Sequence, residues 1–506
     1  MNTMKLIVSA LAFLAAVPAL AAPVSGKSAA SPRLAAKLSW QGGMAEVGPT
    51  ASFKYQVRAV ADGAGGVVLA WEENRFRKAC CRDLRDVYLQ RFDQSGKPLW
   101  GASDYQAAGE EAGEELVGLL PGNNGGVLAL WRRDGGMLLV QETGPSGTPM
   151  LEPRGRILAP CVMGCEWNPS EAFCEEPGGR QAMAAWVESG KASEVKNLRV
   201  IRNGNSFIYS SGITSMAGAE YRAASPVSLG AKGWLAVAWH TREAGSRIAG
   251  QFLDRDGNPV GRDFTVTMND TKRWMNIECA SSGTGALILW SSINPDELGA
   301  NHELYLSRVT RNSGGNPALS SVKLGVARSS AMYIPPVHVS METTFTWTGQ
   351  TQFQNVGKEN LFWRRTSSMF PDGSGGCVAW WVEGEKIRVV RVRPGESGLV
   401  VSKGFTIGSS PDIGFTPFVV PLEGKRLFLV WAEKRERIYR VLGREFSVEG
   451  KSPAPVGDTV VLQPDSPGAP RWAATAPAGR RSAWLTLSLL TNGGNAVSIR
   501  LGRISW

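Results

Sequence analysis

An all-β fold is predicted, an eight-bladed β-propeller of four-stranded antiparallel blades closed by an N-terminal strand. Three observations predict it. The stretch "DGAGGVVLAW" at 62–71 is nearly repeated as "DGSGGCVAWW" at 372–381. A Gly-rich turn followed by a β-type run and a Trp recurs eight times, ending at Trp71, Trp131, Trp186, Trp239, Trp290, Trp381, Trp431 and Trp484. The spacings are 60, 55, 53, 51, 91, 50 and 53, a period that marks a propeller or array built of short strands.

The N-terminus reads as a secretory signal over 1–21: Lys5 supplies the charge, Leu6–Val17 the apolar run and Ala19-Leu20-Ala21 the small-residue site, with cleavage expected after Ala21. The apolar run is too short to span a bilayer, and no later stretch approaches the roughly 20 apolar residues a spanning helix needs. Residues 22–36 are small and polar, a flexible lead-in. Residues 37–506 are expected to form one propeller domain. The expected location is therefore the periplasm or the exterior.

In the first unit, Phe53–Ala61 alternates and enters the DGAGG turn. Val67–Trp71, Asp86–Phe92 and the "LWGASDYQA" run supply three further strands, with "DQSG" as the second tight turn. The unit at 220–266 repeats this plan, with "QFLDRDGNPVG" as third strand and turn. Glycine is expected to supply the positive φ of these turns. One Trp per repeat at a fixed phase is a packing pattern, so these Trp are expected to wedge between blades. The last unit lacks a fourth strand, whereas 37–48 has no unit of its own and is similar to the fourth-strand run "PLWGASDYQAAG". Pairing 37–48 with 496–506 would close the ring and remove its exposed edges.

The 91-residue spacing implies an insertion at about 328–360. Val337, Val339, Met341, Thr343, Phe345 and Trp347 alternate with polar residues, as in a half-buried strand, and "TGQ" turns the chain into "TQFQNV". The expectation is an amphipathic hairpin whose aromatics are Tyr333, Phe345, Trp347 and Phe353.

In a four-stranded blade the first–second and third–fourth turns share one face, here short and uniform. The second–third loops and blade connections share the other, expected to be long and individual, as in "EENRFRKACCRDLRD", "SSINPDELGANHE" and "APCVMGCEWNP". Variable loops on a rigid scaffold are where function concentrates. Residues just after each Trp suggest a charged rim there: Glu72 and Glu73, Arg132 and Arg133, Glu188, His240 and Arg242, Glu383, Glu433 and Lys434. Aromatics and Arg dominate recognition, so Tyr333, Trp347, Arg132 and Arg242, with Glu72 and His240, are the candidate ligand or partner contacts.

Net charge is +10, from 55 basic and 45 acidic residues, and the basic residues are dispersed. That argues against nucleic acid as partner. With three His, a His-rich metal site is not expected. No CxxCH excludes covalent haem. Seven Cys in an exported chain admit disulfides. Cys279 and Cys377 lie in strands of different blades and read as buried free thiols. Cys80, Cys81, Cys161, Cys165 and Cys174 are the candidates: one of Cys80/Cys81 to Cys161 or Cys165, or Cys165 to Cys174, with the sequence leaving the choice open.

The first unit resembles blades of secreted bacterial propeller proteins of a "DGxGGxxxAW…DxYxQRxDxxG" style, through Asp62, Gly63, Gly65, Gly66, Trp71, Asp86, Tyr88, Gln90, Arg91, Asp93 and Gly96. The other units keep the Gly turn and Trp. This resemblance implies a fold and no chemistry. A second resemblance is to periplasmic quinoproteins, eight-bladed enzymes with a vicinal Cys pair. Cys80-Cys81 is similar to that pair, and Asp93…Gly96-Lys97…Trp100 is similar to their tryptophan-docking motif, but one residue short and in one blade only.

Three classes follow. The first is a non-enzymatic binding or scaffold propeller, a monomeric ring without cofactor or metal whose loop-rich face takes an envelope or extracellular protein or polysaccharide. The second is a glycosidase or lyase, which needs two carboxylates roughly 5–10 Å apart; Glu72, Glu188 and Glu383 are available, but sialidase-type SxDxGxTW boxes are missing. The third is the quinoprotein.

Overall fold

A computed structural model describes residues 39–506 apart from 49–51, 75–84, 102–103, 108–112, 123–124, 134–136, 153–154, 160–164, 167–172, 176–180, 189–193, 204–205, 214–222, 243–244, 270–272, 284, 294–301, 328–331, 334–350, 357–358, 365–366, 409–410, 412–414, 416, 424, 437, 479–480 and 492–495. Eight antiparallel sheets with four strand positions each make an eight-bladed β-propeller. A 3₁₀ turn at Gly230–Lys232 is the one helical element among the described residues, and none of these forms a helix able to cross a membrane.

Blade 1 takes Phe53–Ala61, Val67–Asn74, Asp86–Phe92 and Tyr105–Gln106, and blade 2 takes Glu114–Pro121, Val127–Arg133, Leu138–Thr143 and Arg156–Ala159. In blade 3, Cys165–Glu166 and Phe173–Glu175 share the first position, followed by Gln181–Glu188, Glu194–Asn203 and Ser206–Ile213. Blade 4 is Ala223–Ser228, Trp234–Arg242, Gly245–Leu253 and Pro259–Asn269; blade 5 is Arg273–Ser281, Ala286–Ile293, His302–Arg311 and Pro317–Ala327. Blade 6 is Ser367–Pro371, Cys377–Glu383 and Lys386–Gly395, with Gly398–Val401 and Phe405–Ile407 sharing the outer position. Blade 7 is Phe418–Pro421, Arg426–Arg435, Ile438–Ser447 and Ala454–Ser466. Blade 8 is Pro470–Pro477, Ser482–Thr491 and Ala496–Ser505, completed on its outer side by Ser39–Val47. Trp40 lies opposite Ile504 and Val47 opposite Ile499, so the N-terminal strand closes the ring. From blade 8 through blade 6, each first strand touches the next one, which makes the first strands the innermost.

The repeat Trp do wedge between blades, but not at one phase. Trp71, Trp131, Trp186, Trp290, Trp381 and Trp431 each pack toward the preceding blade. Trp239 and Trp484 pack toward the following one, Trp239 meeting Trp290 and Trp484 meeting Trp71. The turn bonds explain this. Leu229 N–H to Gly233 O and Ala478 N–H to Ser482 O set Trp239 and Trp484 an odd number of residues from the Trp71 position, and an odd shift puts a strand residue on the opposite face.

Glycine also has two roles where one was expected. Gly63 and Gly65 have φ of 77° and 90°, as tight turns demand. Gly66 has no such φ. A Cβ there would run into the Phe92 carbonyl oxygen, and Gly376 meets the Val392 carbonyl in the same way. The last Gly of DGxGG is therefore required by close approach of the third strand.

The other motif residues stitch this face. Asp62 Oδ1 accepts the Ala64 and Gly66 N–H groups at 2.8 and 2.7 Å, and Asp93 Oδ1 accepts those of Ser95 and Lys97 at 2.8 and 2.9 Å. Arg91 holds Asp62 at 2.9 Å and donates to Pro145 O of blade 2 at 3.1 Å. Arg199 and Arg391 hold the same position on the third strand, opposite Met183 and Val378 as Arg91 is opposite Val68. Arg199 donates to Arg255 O of blade 4 at 2.6 Å; Arg391 donates to Val448 O and Gly450 O of blade 7 at 2.6 and 2.7 Å. The motif is an inter-blade latch.

Candidate functional site

The loop face is built on the opposite ends of the strands. Its loops are less uniformly long than expected: two residues separate second and third strands in blades 4, 6 and 7, at 243–244, 384–385 and 436–437. The long departures are 75–85 in blade 1, 294–301 in blade 5 and the connection between Ala327 and Ser367. That connection contributes a three-stranded sheet, Met332–Tyr333, Glu359–Arg364 and Thr351–Val356 in spatial order. Its hairpin is thus 351–356 with 359–364. The expected strand 337–347, with Phe345 and Trp347, lies outside the described residues; Tyr333 is placed by its backbone, opposite Leu361.

Below the loops, four innermost strands carry a one-residue bulge in their loop-face half: Lys54/Val57, Leu116/Gly118, Met275/Glu278 and Pro470/Ala473. Bulges re-aim side chains and collect beside functional sites. Two of the four flank the densest ionic cluster described, at the junction of blades 1 and 2.

Glu72 and Glu73 anchor that region and are both fully buried. Strand alternation sends them to opposite junctions. Glu73 Oε2 accepts Trp71 Nε1–H at 2.7 Å and Oε1 takes the Ser52 hydroxyl, with Lys54 Nζ at 3.9 Å. Lys54 also donates to Val497 O of blade 8 at 3.2 Å. Glu72 faces blade 2. Its Oε2 pairs with Arg85 Nη1 at 2.7 Å and its Oε1 accepts Leu116 N–H at 2.8 Å. Burial pushes the Glu72 carboxyl up to about 7; Arg85 opposes this, and the like charge of Glu115 adds to it. Burial pulls the Arg58 guanidinium down to about 10, with Glu72 opposing. Across the blade 2 hairpin, Arg132 Nη2 lies 2.6 Å from Glu115 Oε2 and Arg133 Nε 3.8 Å from Glu114 Oε1.

The charged rim is therefore largely folded inward. Glu72, Glu73, Arg133 and Glu433 are buried, and Arg132 is half-buried against Glu115. Glu383 and Lys434 are exposed. His240 and Arg242 sit at the loop-face end of blade 4's second strand, opposite Arg247 and Gly245. Glu188 holds the matching place in blade 3, opposite Glu194. Glu72 and Arg132 belong to one cluster; Tyr333, His240 and Arg242 sit in other blades or in the insertion.

Two groups in blade 5 were not anticipated, the half-buried Glu278 and the buried His302. Glu278, on the innermost strand, accepts the Ser368 hydroxyl of blade 6 at 3.0 Å, and burial pushes its carboxyl up to about 8. His302 is 2% exposed, with Nδ1 3.4 Å from Ser291 Oγ, and burial pulls it down to about 4. Alternation around "NIECAS" and "NHELYL" was a usable signal for strands, but the sequence carries none for which neighbour would cover them. A shallow cleft of about 90 Å³ lies at the end of blade 7, lined by Glu433, Arg435, Ile438, Arg440 and Asp465.

Cys279 and Cys377 are free thiols; Cys377 is buried as expected, but Cys279 is only half-buried. Cys80, Cys81 and Cys161 lie outside the described residues. Cys165 and Cys174 are placed by backbone on two short strands that pair with opposite ends of 181–188. Among the described residues no group of three or more His, Cys, Asp or Glu is arranged to hold a metal ion.

No protein-family model and no curated protein matches the sequence. Solved structures do. A protein of unknown function from Dyadobacter fermentans aligns with 11% identity and a TM-score of 0.40 over 92% of this chain and 99% of its own. The β-propeller domain of the Trilobed protease from Pyrococcus furiosus aligns with 8% identity and a TM-score of 0.35, covering 81% and 98%. A PL25 ulvan lyase aligns with 9% identity and a TM-score of 0.30, covering 80% and 79%. At such identities and scores, no activity or ligand transfers from these proteins to this chain.

Proposed function

We propose that the protein is an exported, non-enzymatic binding or scaffold propeller of the secreted bacterial type, a ring that recognises an envelope or extracellular protein or glycan through its loop face. The observation that carries this reading is the asymmetry of the two faces. On the turn face the motif side chains are consumed by turns and inter-blade latches, as with Asp62, Arg91 and Arg391. The opposite face holds the long loops and the three-stranded insertion. Tyr333, Trp347, His240 and Arg242 are the proposed contacts. Glu72 serves by tying blade 1 to blade 2 through Leu116 N–H, and Arg132 by pairing with Glu115 within blade 2.

The carbohydrate-active alternative gains no specific support. Of its candidate acids, Glu72 is 0% exposed, and Glu383, though exposed, stands in a different blade from it.

The test is affinity capture from the native envelope fraction, with the full chain and with a variant in which 330–358 is replaced by a short Gly/Ser linker. The reading expects a specific partner whose capture falls sharply in the variant while thermal stability barely changes. Release of reducing ends from a polysaccharide by the pure protein would refute the non-enzymatic reading. Capture that survives while stability collapses would make the insertion a structural cover.

A further inference from the structure

Three strands of blade 7 bring charges of both signs to one place at the loop-face end of the ring. Glu433 and Arg435 are two apart on the second strand, and Ile438 and Arg440 two apart on the third, so each pair shares a face. In register, Glu433 lies opposite Arg440 and Arg435 opposite Ile438. Trp431 is on the same face and packs against blade 6, so these four residues look toward blade 6.

A bulge in the outer strand supplies a fifth side chain. Tyr439 lies opposite Ser466 and Val441 opposite Gln463, which leaves Pro464 and Asp465 against Arg440 alone. Bulges re-aim side chains, and this one turns Asp465 onto Arg440, which holds it through Nε at 2.6 Å and Nη2 at 2.9 Å. The five side chains line the shallow cleft at the end of blade 7. Glu433 closes its inner end, 7% exposed, with Oε1 accepting Trp431 Nε1–H at 3.3 Å. Arg435 and Asp465 are exposed, Arg440 is half-buried and Ile438 is 48% exposed. Arg435 stands at the turn, further out than the residues next to Trp431, and makes no hydrogen bond or ion pair among the described residues.

The lining charges balance, Arg435 and Arg440 against Glu433 and Asp465. An anion entering the cleft meets two carboxylates, and a cation meets two guanidinium groups. A hydroxyl group meets neither penalty, because it donates to a carboxylate and accepts from a guanidinium at once, whereas each of those groups does only one of the two. The Arg440–Asp465 pair leaves further N–H groups and lone pairs for such bonds, and bonds to ionised groups are the strong ones. Ile438 adds an apolar surface beside them, which suits the C–H side of a sugar ring.

We propose that this cleft is a sugar-binding subsite, in which a neutral monosaccharide unit of a glycan sets adjacent hydroxyls across Arg435, Arg440 and Asp465 and lays the C–H side of its ring on Ile438. The inference rests on the binding reading and narrows it at this place, from a protein or glycan to an uncharged glycan.

Saturation-transfer NMR titrations on the full chain test it. The neutral probes are the methyl glycosides of glucose, galactose and mannose, and the anionic ones galacturonate and N-acetylglutamate. At least one glycoside should bind, and more tightly than either anion. Arg435→Met should weaken that binding about tenfold or more, the loss of one hydrogen bond to a charged group, and Ile438→Asn should weaken it too, both at unchanged Tm. Lys434→Met is the control, because Lys434 belongs to the other face and lies over the Tyr439 ring at 5.6 Å; it should bind as the unaltered chain does. Binding of none of the three glycosides overturns the proposal. So does tighter binding of either anion, binding that survives Arg435→Met, or an equal loss in Lys434→Met. A partner captured through the loop face with no glycoside bound would overturn this subsite and leave the binding reading intact. A glycoside bound with no partner captured would uphold the subsite and count against the wider reading.

Discussion

Arg391 offers the sharpest test of the latch on the turn face. Its guanidinium is 7% exposed and lies 2.7 Å from the Asp372 carboxylate, which is 0% exposed. It also donates to Val448 O and Gly450 O of the next blade. Replacing Arg391 with Met keeps the stem but leaves a buried carboxylate without its cation and two carbonyls without their donor. Breaking a buried pair from one side costs about 3–5 kcal/mol. For a folded unit of about 470 residues, unfolding entropy near the midpoint is of order 1 kcal/mol per degree, so Tm should fall by about 3–5 °C. Arg440 is the control. It makes two bonds to Asp465, at 2.6 and 2.9 Å, but the pair is 37% and 53% exposed. Arg440→Met should leave Tm unchanged, because exposed pairs contribute little. Scanning calorimetry on both variants decides. Equal shifts for Arg391→Met and Arg440→Met would refute the latch, and a double variant with Asp372→Asn should recover part of the loss.

Four further outcomes are expected. Deleting residues 39–47 strips the blade 8 strand 496–505 of its outer partner, so light scattering should report aggregation or calorimetry a lower Tm; unchanged behaviour would rule out N-terminal closure. Trp71→Ala should cost about 3–5 kcal/mol in denaturant unfolding, as Trp71 is fully buried between blades 8 and 1 and leaves a large void. Gly66→Ala should destabilise although Gly66 has an ordinary φ, because the new Cβ meets the Phe92 carbonyl; an unaffected Tm would mean that the third strand can yield. His302, pulled down to about 4 by burial, binds its proton less well folded than unfolded, so stability should decline as pH falls from about 6.5 to about 4, by up to about 3 kcal/mol, and His302→Gln should flatten that limb of the pH profile.

The legible part of the fold followed from covalent regularity. A Gly-rich turn sets the register of its hairpin, and register fixes which residues meet. Counted from the turn at Gly122–Gly126, the same arithmetic sets Arg132 opposite Leu116 and Arg133 opposite Glu115; the bulge at Leu116/Gly118 shifts the register by one and makes the pairs Glu115–Arg132 and Glu114–Arg133. The phase of Trp239 and Trp484 was within reach, since each stands a different number of residues after its turn than Trp71 does.

The burial of the rim was not within reach. Glu72 and Glu73 are adjacent and similar in kind, yet one is held by blade 2 and Arg85, the other by Trp71, Ser52 and Lys54, with Lys54 bonded on to blade 8. Only the neighbouring blades decide that, and they are distant in sequence. Glu278 is the same case, because its covering residue, Ser368, is ninety positions away. Charges at strand ends of a propeller are therefore ambiguous in a way that charges in its loops are not. A strand end borders a junction between blades and can be drawn into it, as a carboxylate bonded to the next blade's first strand. A residue further out in a loop has no such neighbour, whereas Arg85, at the last position of its loop, is drawn in as a strand end is. That difference moves the search for a ligand outward, from the Glu and Arg after each Trp to the insertion and the loop of blade 5.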